Sequence, residues 1–109
     1  VALKPDYPEA HYYLGIALAQ SGHPDEAFRS FEAALAKRPQ SAEIRYNYGI
    51  ALWENGRARD AVAQFQRAAQ IDPRHGLAFC ALGRALARQR DDEGAASALA
   101  RARQLGACQ

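Results

Sequence analysis

The sequence predicts an all-α protein made of consecutive pairs of antiparallel helices, and two observations support this class. The first is an internal repeat, since Gly15, Gly49 and Gly83 are evenly spaced along the 109-residue chain. A fixed period of about 34 residues is typical of repeat architectures. The second is that apolar residues recur three and four positions apart, which is the spacing of one helix face. Residue types that favour helices, such as Ala, Leu, Arg, Gln and Glu, dominate throughout.

Glycine and proline divide each repeat into two helices. Pro24 suits the first turn of a helix, where its missing N–H is not needed, and Pro39 ends the helix that follows. Gly56 and Pro73 repeat the marks of Gly22 and Pro39 one period later. Because the loops are short, neighbouring helices must run antiparallel. We therefore predict helices at 8–21, 25–37, 42–55, 59–71, 76–89 and 92–105.

Small and large residues also occupy fixed places in each repeat, counted from Pro8, Ala42 and Gly76 as position one. Positions seven and eight hold Leu14-Gly15, Tyr48-Gly49 and Leu82-Gly83. The small residues at positions twenty and twenty-seven are Ala27, Ala61, Ala95, Ala34, Ala68 and Ala102. The large residues at positions eleven and twenty-four are Leu18, Leu52, Leu86, Phe31, Phe65 and Leu99. This pattern resembles the tetratricopeptide repeat (TPR) family, whose unit of about 34 residues is a helix–turn–helix, and the resemblance covers the entire chain.

The resemblance implies an all-α fold, a right-handed superhelical solenoid of six helices in antiparallel pairs. It implies three TPR units over 8–41, 42–75 and 76–109. Because Pro5 precedes Pro39 by the same interval, residues 1–7 fit the end of a preceding repeat. We therefore expect one continuous array that is a fragment of a longer chain.

The third unit departs from the family pattern in three places. Arg90 stands where a glycine closes the first helix of the other units, and Gly94 occupies a position that is usually acidic. Gly106-Ala107 replaces the usual Asp-Pro pair. A turn that lacks its glycine usually adjusts, so we expect the connection over 89–93 to differ from its counterparts.

Composition restricts the classes of partner and the compartment. The net charge of +2 does not by itself indicate a nucleic-acid or membrane partner, and no apolar run approaches the ~18 residues that span a bilayer. No signal peptide is visible after Val1, which predicts a cytoplasmic location. Cys80 and Cys108 have no metal-ligand spacing, so we expect two free thiols in a reducing compartment.

The repeated residues are architectural, so function is sought on the surface that they leave open. Positions two, five, six, nine, twelve and thirteen of each unit point away from the partner helix. In stacked helix pairs this face lines the concave, binding side of the solenoid. The predicted groove residues are Glu9, Tyr12, Tyr13, Ile16, Glu43, Tyr46, Asn47, Ile50, Trp53, Glu54, Leu77, Cys80, Arg84 and Arg88, with Ala19, Gln20, Ala81 and Ala87 on the same face.

Four aromatic residues and two isoleucines form a strip on that face: Tyr12, Tyr13, Tyr46, Trp53, Ile16 and Ile50. Aromatic side chains are enriched in interface hot spots, so the strip predicts a protein or peptide partner. The alternative is that some of these tyrosines pack on neighbouring helices with their hydroxyls in water. Acidic residues at one end (Glu9, Glu43 and Glu54) and Arg84 and Arg88 at the other predict a polarised groove.

Two binding modes of the family do not fit these residues. The positions that grip a C-terminal carboxylate in chaperone-binding members hold Tyr12, Ile16, Asn47, Leu77 and Ala81, so only the asparagine matches. The asparagine ladder of O-linked N-acetylglucosamine transferases falls on Tyr13, Asn47 and Ala81. Neither mode is therefore expected here.

No pattern of residues predicts catalysis, a metal site or a cofactor. His11, His23 and His75 are scattered without a metal-ligand spacing. Asp91-Asp92-Glu93 is explained by a helix N-terminus, which favours acidic residues. The arginines of the last third are interpreted first as a solvated face, and RNA or an acidic protein as their partner is the lesser alternative. They are Arg84, Arg88, Arg90, Arg101 and Arg103.

Two hypotheses on function remain. One is an interaction scaffold that binds a peptide or helix of a partner in the groove. The other is a structural segment of a longer array or multidomain enzyme, whose groove is filled by neighbouring domains or by self-association through uncovered ends.

Overall fold

The computed structural model describes residues 7–108 and contains six α-helices over that range. The helices are α1 (Pro8–Gln20), α2 (Pro24–Lys37), α3 (Ala42–Glu54), α4 (Ala58–Ile71), α5 (Gly76–Arg88) and α6 (Asp92–Gln104). Every boundary coincides with the predicted residue or lies next to it, which confirms the all-α prediction. Residues 1–7 were predicted to be the end of a preceding repeat, and residues 1–6 of that segment lie outside the described residues. The division into units at 8, 42 and 76 stays a prediction.

Packing follows chain order, as expected of a solenoid. Helices contact their neighbours in sequence, and the first helices of successive pairs also touch, α1 with α3 and α3 with α5. The molecule measures 45 × 25 × 21 Å, longer in one direction than a compact bundle of this size. Among residues 7–108, no helix is long and apolar enough to cross a membrane.

Close contact between the two helices of each pair depends on glycine. A Cβ atom added to Gly49 would lie 2.5 Å from Phe65 Cε1, and one added to Gly83 would lie 2.5 Å from Leu99 Cγ. At Gly15 the corresponding contact with Phe31 is 3.2 Å. The repeated glycine therefore admits the large residue at position twenty-four, and Phe31 and Phe65 become the largest fully buried side chains of the described chain.

The turn between α5 and α6 corrects one expectation. Arg90 adopts a positive φ of 65°, close to the 82° and 77° of Gly22 and Gly56 in the equivalent turns. The closing bond is also kept, since Asp91 N donates to Leu86 O at 2.9 Å as Arg57 N donates to Leu52 O. The prediction of a different connection over 89–93 was therefore wrong. An arginine can occupy this conformation because the surrounding hydrogen bonds hold the backbone there.

Asp91 also explains the glycine at position 94. Its Oδ1 accepts a hydrogen bond from Gly94 N at 2.9 Å and so caps the N-terminus of α6. A Cβ atom at Gly94 would lie 2.6 Å from Asp91 Oδ2. The missing side chain therefore makes room for the capping carboxylate.

The end of the described chain corrects a second expectation. After α6, Gly106 takes a φ of 83° and Ala107 N donates to Ala102 O at 2.8 Å, which turns the chain back toward the start of α5. Cys108 then forms a disulfide with Cys80, with 5.5 Å between the Cα atoms. The prediction of two free thiols was wrong, because two cysteines 28 positions apart meet through this turn. The bond removes the basis for predicting a reducing compartment.

Candidate protein-binding groove

The predicted groove residues lie on α1, α3 and α5, which contact one another along one side of the molecule. Their exposure divides them into three groups. The exposed members are Glu9, Tyr13, Glu43, Glu54, Leu77, Arg84 and Arg88. The partly buried members are Ile16, Tyr46, Asn47, Ile50 and Trp53. The buried members are Tyr12 and Cys80, whose side chains are unavailable to a partner.

Tyr12 is a structural link between α1 and α3. Its hydroxyl donates to Glu43 Oε1 at 3.0 Å and accepts from Asn47 Nδ2 at 2.9 Å. Burial, followed by the hydrogen bond to the Glu43 carboxylate, raises the pKa of Tyr12. Tyr12 therefore packs on a neighbouring helix, as the alternative interpretation of the tyrosines expected. Its hydroxyl, however, is bonded to protein groups rather than to water.

The other aromatic residues of the strip remain accessible to different degrees. Tyr13 is 65% exposed. Tyr46 is partly buried, with its ring 6.0 Å from that of Phe65 and 5.1 Å from that of His75. Burial raises the pKa of Tyr46, and the positive charge of Arg84 opposes this. The aromatic strip is thus interrupted at Tyr12 and continues around Tyr46 and Trp53.

Two adjoining hollows indent the groove, and Ile50 borders both. The first, about 130 Å³, lies between α3 and α5 and is lined by Tyr46, Ile50, Trp53, Phe65, Leu77, Cys80, Ala81 and Arg84. We call it the α3–α5 hollow. The second, about 100 Å³, lies between α1 and α3 and is lined by Ile16, Ala19, Gln20, Phe31, Asn47, Ile50, Ala51 and Glu54. We call it the α1–α3 hollow.

Phe31 and Phe65 take part in these hollows although the sequence analysis assigned them only to the core. They belong to α2 and α4, and their rings reach between the first helices of the pairs. Their shared position, twenty-four, was the available indication.

The charged side chains of the groove differ in their contacts. Glu9 forms an ion pair with Arg38, and Glu43 accepts from Tyr12. The guanidinium of Arg88 lies 5.3 Å from the centre of the Trp53 ring, a cation–π distance. Among residues 7–108, no carboxylate lies within 4.0 Å of Arg84 or Arg88.

Two of the histidines precede helices, and the ring of one of them, His75, also packs on groove residue Tyr46. His75 Nδ1 accepts from Ala78 N at 3.0 Å and caps α5, and His23 Nδ1 lies 3.9 Å from Glu26 Oε1. Over the described range, no group of three His, Cys, Asp or Glu side chains could hold a metal ion.

Three antiparallel helix pairs whose first helices share one grooved face define a helical-repeat protein. The sequence model of the tetratricopeptide repeat family matches residues 1–42, 14–76 and 46–107. The chain therefore belongs to the tetratricopeptide repeat family, whose members are typically non-enzymatic scaffolds. A comparison with curated protein sequences finds no match.

Solved structures of other TPR proteins share the fold. MamA superposes with a TM-score of 0.90 at 21% identity, over 95% of this chain and 61% of that one. The second TPR of Spaghetti (RPAP3) bound to HSP90 peptide SRMEEVD gives 0.86 at 16% identity, over 93% and 94%. YrrB, described as a TPR protein with an unusual peptide-binding site, gives 0.81 at 26% identity, over 91% and 51%. The chain thus spans about three fifths of the length of MamA.

Proposed function

We propose that this protein is an interaction scaffold that binds a peptide or a helix of a partner protein along the groove of α1, α3 and α5. The observation that carries the proposal is the pair of hollows bordered by Ile50, with Trp53 accessible beside them. Solved TPR relatives described as bound to a peptide or as having a peptide-binding site support the same class of function.

The physical argument rests on side chains that the fold itself does not require. Gly49 and Leu52 face inward and build the helix pair, whereas Ile50 and Trp53 on the same helix stay partly exposed. Covering exposed apolar surface with a partner favours association, because it removes that surface from water. Tryptophan, with its large rigid ring, is enriched among residues that dominate such interfaces.

The proposed contact runs along Tyr13, Ile16, Tyr46, Ile50 and Trp53. Tyr12 stabilises this surface indirectly, because its hydroxyl links α1 to Glu43 and Asn47 of α3 by hydrogen bonds. Leu77, which is 56% exposed, extends the apolar surface onto α5. Glu54 and the two arginines form its charged margins.

A second candidate is a structural segment of a longer array. The two ends of the molecule differ in how much large apolar side chain they expose for such packing. Tyr7, Tyr13 and Leu14 near the first helix are 54%, 65% and 43% exposed. No large apolar side chain of α6 is comparably exposed. A neighbouring repeat or a second copy would therefore pack at the α1 end. A dimer in sedimentation that is abolished by Leu14→Lys, at a residue outside both hollows, would support this candidate. The cytoplasmic location stays a prediction, and the disulfide does not favour it.

The test of the scaffold uses the single tryptophan of the chain as a probe. Peptides selected on the protein from a random-peptide phage library are titrated, and binding in the groove should change Trp53 fluorescence. Trp53→Ala, which lacks the fluorescent probe and is titrated by calorimetry beside the unmodified protein, should bind them more weakly by about 2 kcal/mol. The variant should lose about 1 kcal/mol of unfolding free energy, because the ring is only partly buried.

Leu14→Ala is the matched control, since it removes an exposed apolar side chain that lines neither hollow. Binding should be unchanged in this variant. A large loss of stability in Trp53→Ala with unchanged affinity would show that the tryptophan belongs to the core and that the groove is wrongly assigned.

A further inference from the structure

The α3–α5 hollow combines an apolar interior with one arginine in its lining and a second arginine against its tryptophan. Arg84 and Arg88 are one helical turn apart on α5, and both are exposed. Arg84 lines the hollow itself, and Arg88 lies over the ring of Trp53, another lining residue. Arg84 therefore borders the hollow directly, whereas Arg88 contacts its Trp53 ring and lines a neighbouring depression with Gly56 and Ala58.

The size and lining of the hollow define the side chain that fits it. Its volume of about 130 Å³ approaches that of an engineered apolar cavity of about 150 Å³ that binds benzene. Ile50, Leu77 and the rings of Tyr46, Trp53 and Phe65 supply the apolar contacts. Cys80 contributes no titratable thiol, since it is held in the disulfide. A leucine, isoleucine or phenylalanine side chain suits this space.

The charges beside the α3–α5 hollow favour an acidic ligand over a basic one. Glu9 is paired with Arg38, and Glu43, which keeps its charge while it accepts from Tyr12, does not line the α3–α5 hollow. Glu54 lines the α1–α3 hollow and not the hollow beside the arginines. A positive side chain placed next to Arg84 and Arg88 would meet two like charges without a carboxylate between them.

From this arrangement we infer that the partner segment is acidic and carries one apolar anchor. The anchor occupies the α3–α5 hollow, and one or two Asp or Glu carboxylates adjacent to it pair with Arg84 and Arg88. This inference rests on the proposed groove binding and specifies the chemistry of the partner.

The test starts from the phage selection described above. We expect the selected peptides to share a Leu, Ile or Phe next to Asp or Glu. One such peptide is synthesised with its natural carboxylates and with Asn or Gln in their place. The neutral peptide should bind about fivefold more weakly, the size expected for partly exposed ion pairs, and raising the NaCl concentration should reduce the difference.

Arg84→Gln combined with Arg88→Gln should remove the preference for the acidic peptide. Arg59→Gln, which neutralises an exposed arginine on α4 that lines neither hollow, is the matched control and should keep the preference. Uridine oligonucleotide serves as the competing probe, because paired arginines also attract phosphate.

The possible results separate the two proposals. Peptides that depend on Trp53 but show neither acidic enrichment nor dependence on the two arginines would overturn this inference and leave the groove function standing. A selection for basic peptides would also overturn it. So would displacement of the bound peptide by the oligonucleotide at a lower concentration than the unlabelled peptide itself requires. If no selected peptide depends on Trp53, the proposed groove function itself fails.

Discussion

Cys80 on α5 and Cys108 beyond α6 are joined by a disulfide that encloses most of the third helix pair. The bond works together with noncovalent contacts of the returning chain. A Cβ atom placed on Gly76 would lie 3.0 Å from that of Ala107 and 3.3 Å from that of Leu105. The tail is thus packed against the first residue of α5 as well as bonded to the helix.

Removing this bond should destabilise the protein. Cys108→Ser should lower the free energy of unfolding by about 2–4 kcal/mol, because the cross-link restricts a loop of 28 residues in the unfolded chain. Urea unfolding with and without dithiothreitol measures the effect, and the reductant should not change the variant further. Two thiols titrated in the native protein after air oxidation would contradict the assignment.

Arg90→Gly should stabilise the protein by about 1 kcal/mol. The backbone of Arg90 has a φ of 65°, which costs energy in any residue with a Cβ atom and little in glycine. The comparison is with Arg90→Ala, which removes the charge but keeps the Cβ atom and should gain nothing. Equal stabilisation by both substitutions in urea unfolding would point to the charge rather than to the backbone.

Alanine at two equivalent glycines should have unequal effects. Gly49→Ala should destabilise the protein by about 1–3 kcal/mol, because the added Cβ atom overlaps the Phe65 ring at 2.5 Å. Gly15→Ala is its internal control, since the closest atom of Phe31 is 3.2 Å away and the first pair can adjust. Thermal unfolding of the two variants should rank them in that order, and the reverse order would refute the overlap.

The buried tyrosines predict a loss of stability in alkali. Burial, followed by hydrogen bonds to Glu43 and Glu32, raises the pKa of Tyr12 and Tyr48 above the unfolded value of about 10. Between the two pKa values the folded state binds more protons than the unfolded state, so stability falls as pH rises above ~10. The contribution is fully present below that pH.

The measurement is the free energy of urea unfolding against pH up to the folded pKa range. The double variant Tyr12→Phe with Tyr48→Phe should have a lower stability at neutral pH, since it loses the hydroxyl bonds to Glu43 and Glu32. It should also show a smaller decline above pH ~10. An identical alkaline decline in both proteins would show that other groups are responsible.

The sequence determined the helices, their order and the residues at their crossings. A constant repeat period, with glycine at position eight and a large residue at position twenty-four, specifies which faces meet within a pair. These features are local, because helix periodicity and turn chemistry act over a few residues. For the same reason the predicted boundaries coincide with or adjoin those of the structure.

The tertiary structure alone decided what each equivalent position became. Position five holds Tyr12, Tyr46 and Cys80, which periodicity assigned to one open face. In the structure, Tyr12 is buried with its hydroxyl bonded to Glu43 and Asn47, Tyr46 lines a hollow, and Cys80 is bonded to Cys108. Periodicity states the direction of a side chain from its own helix, whereas exposure depends on which distant groups cover it. That coverage arises from the next helix and the returning tail, whose positions only the packed chain defines.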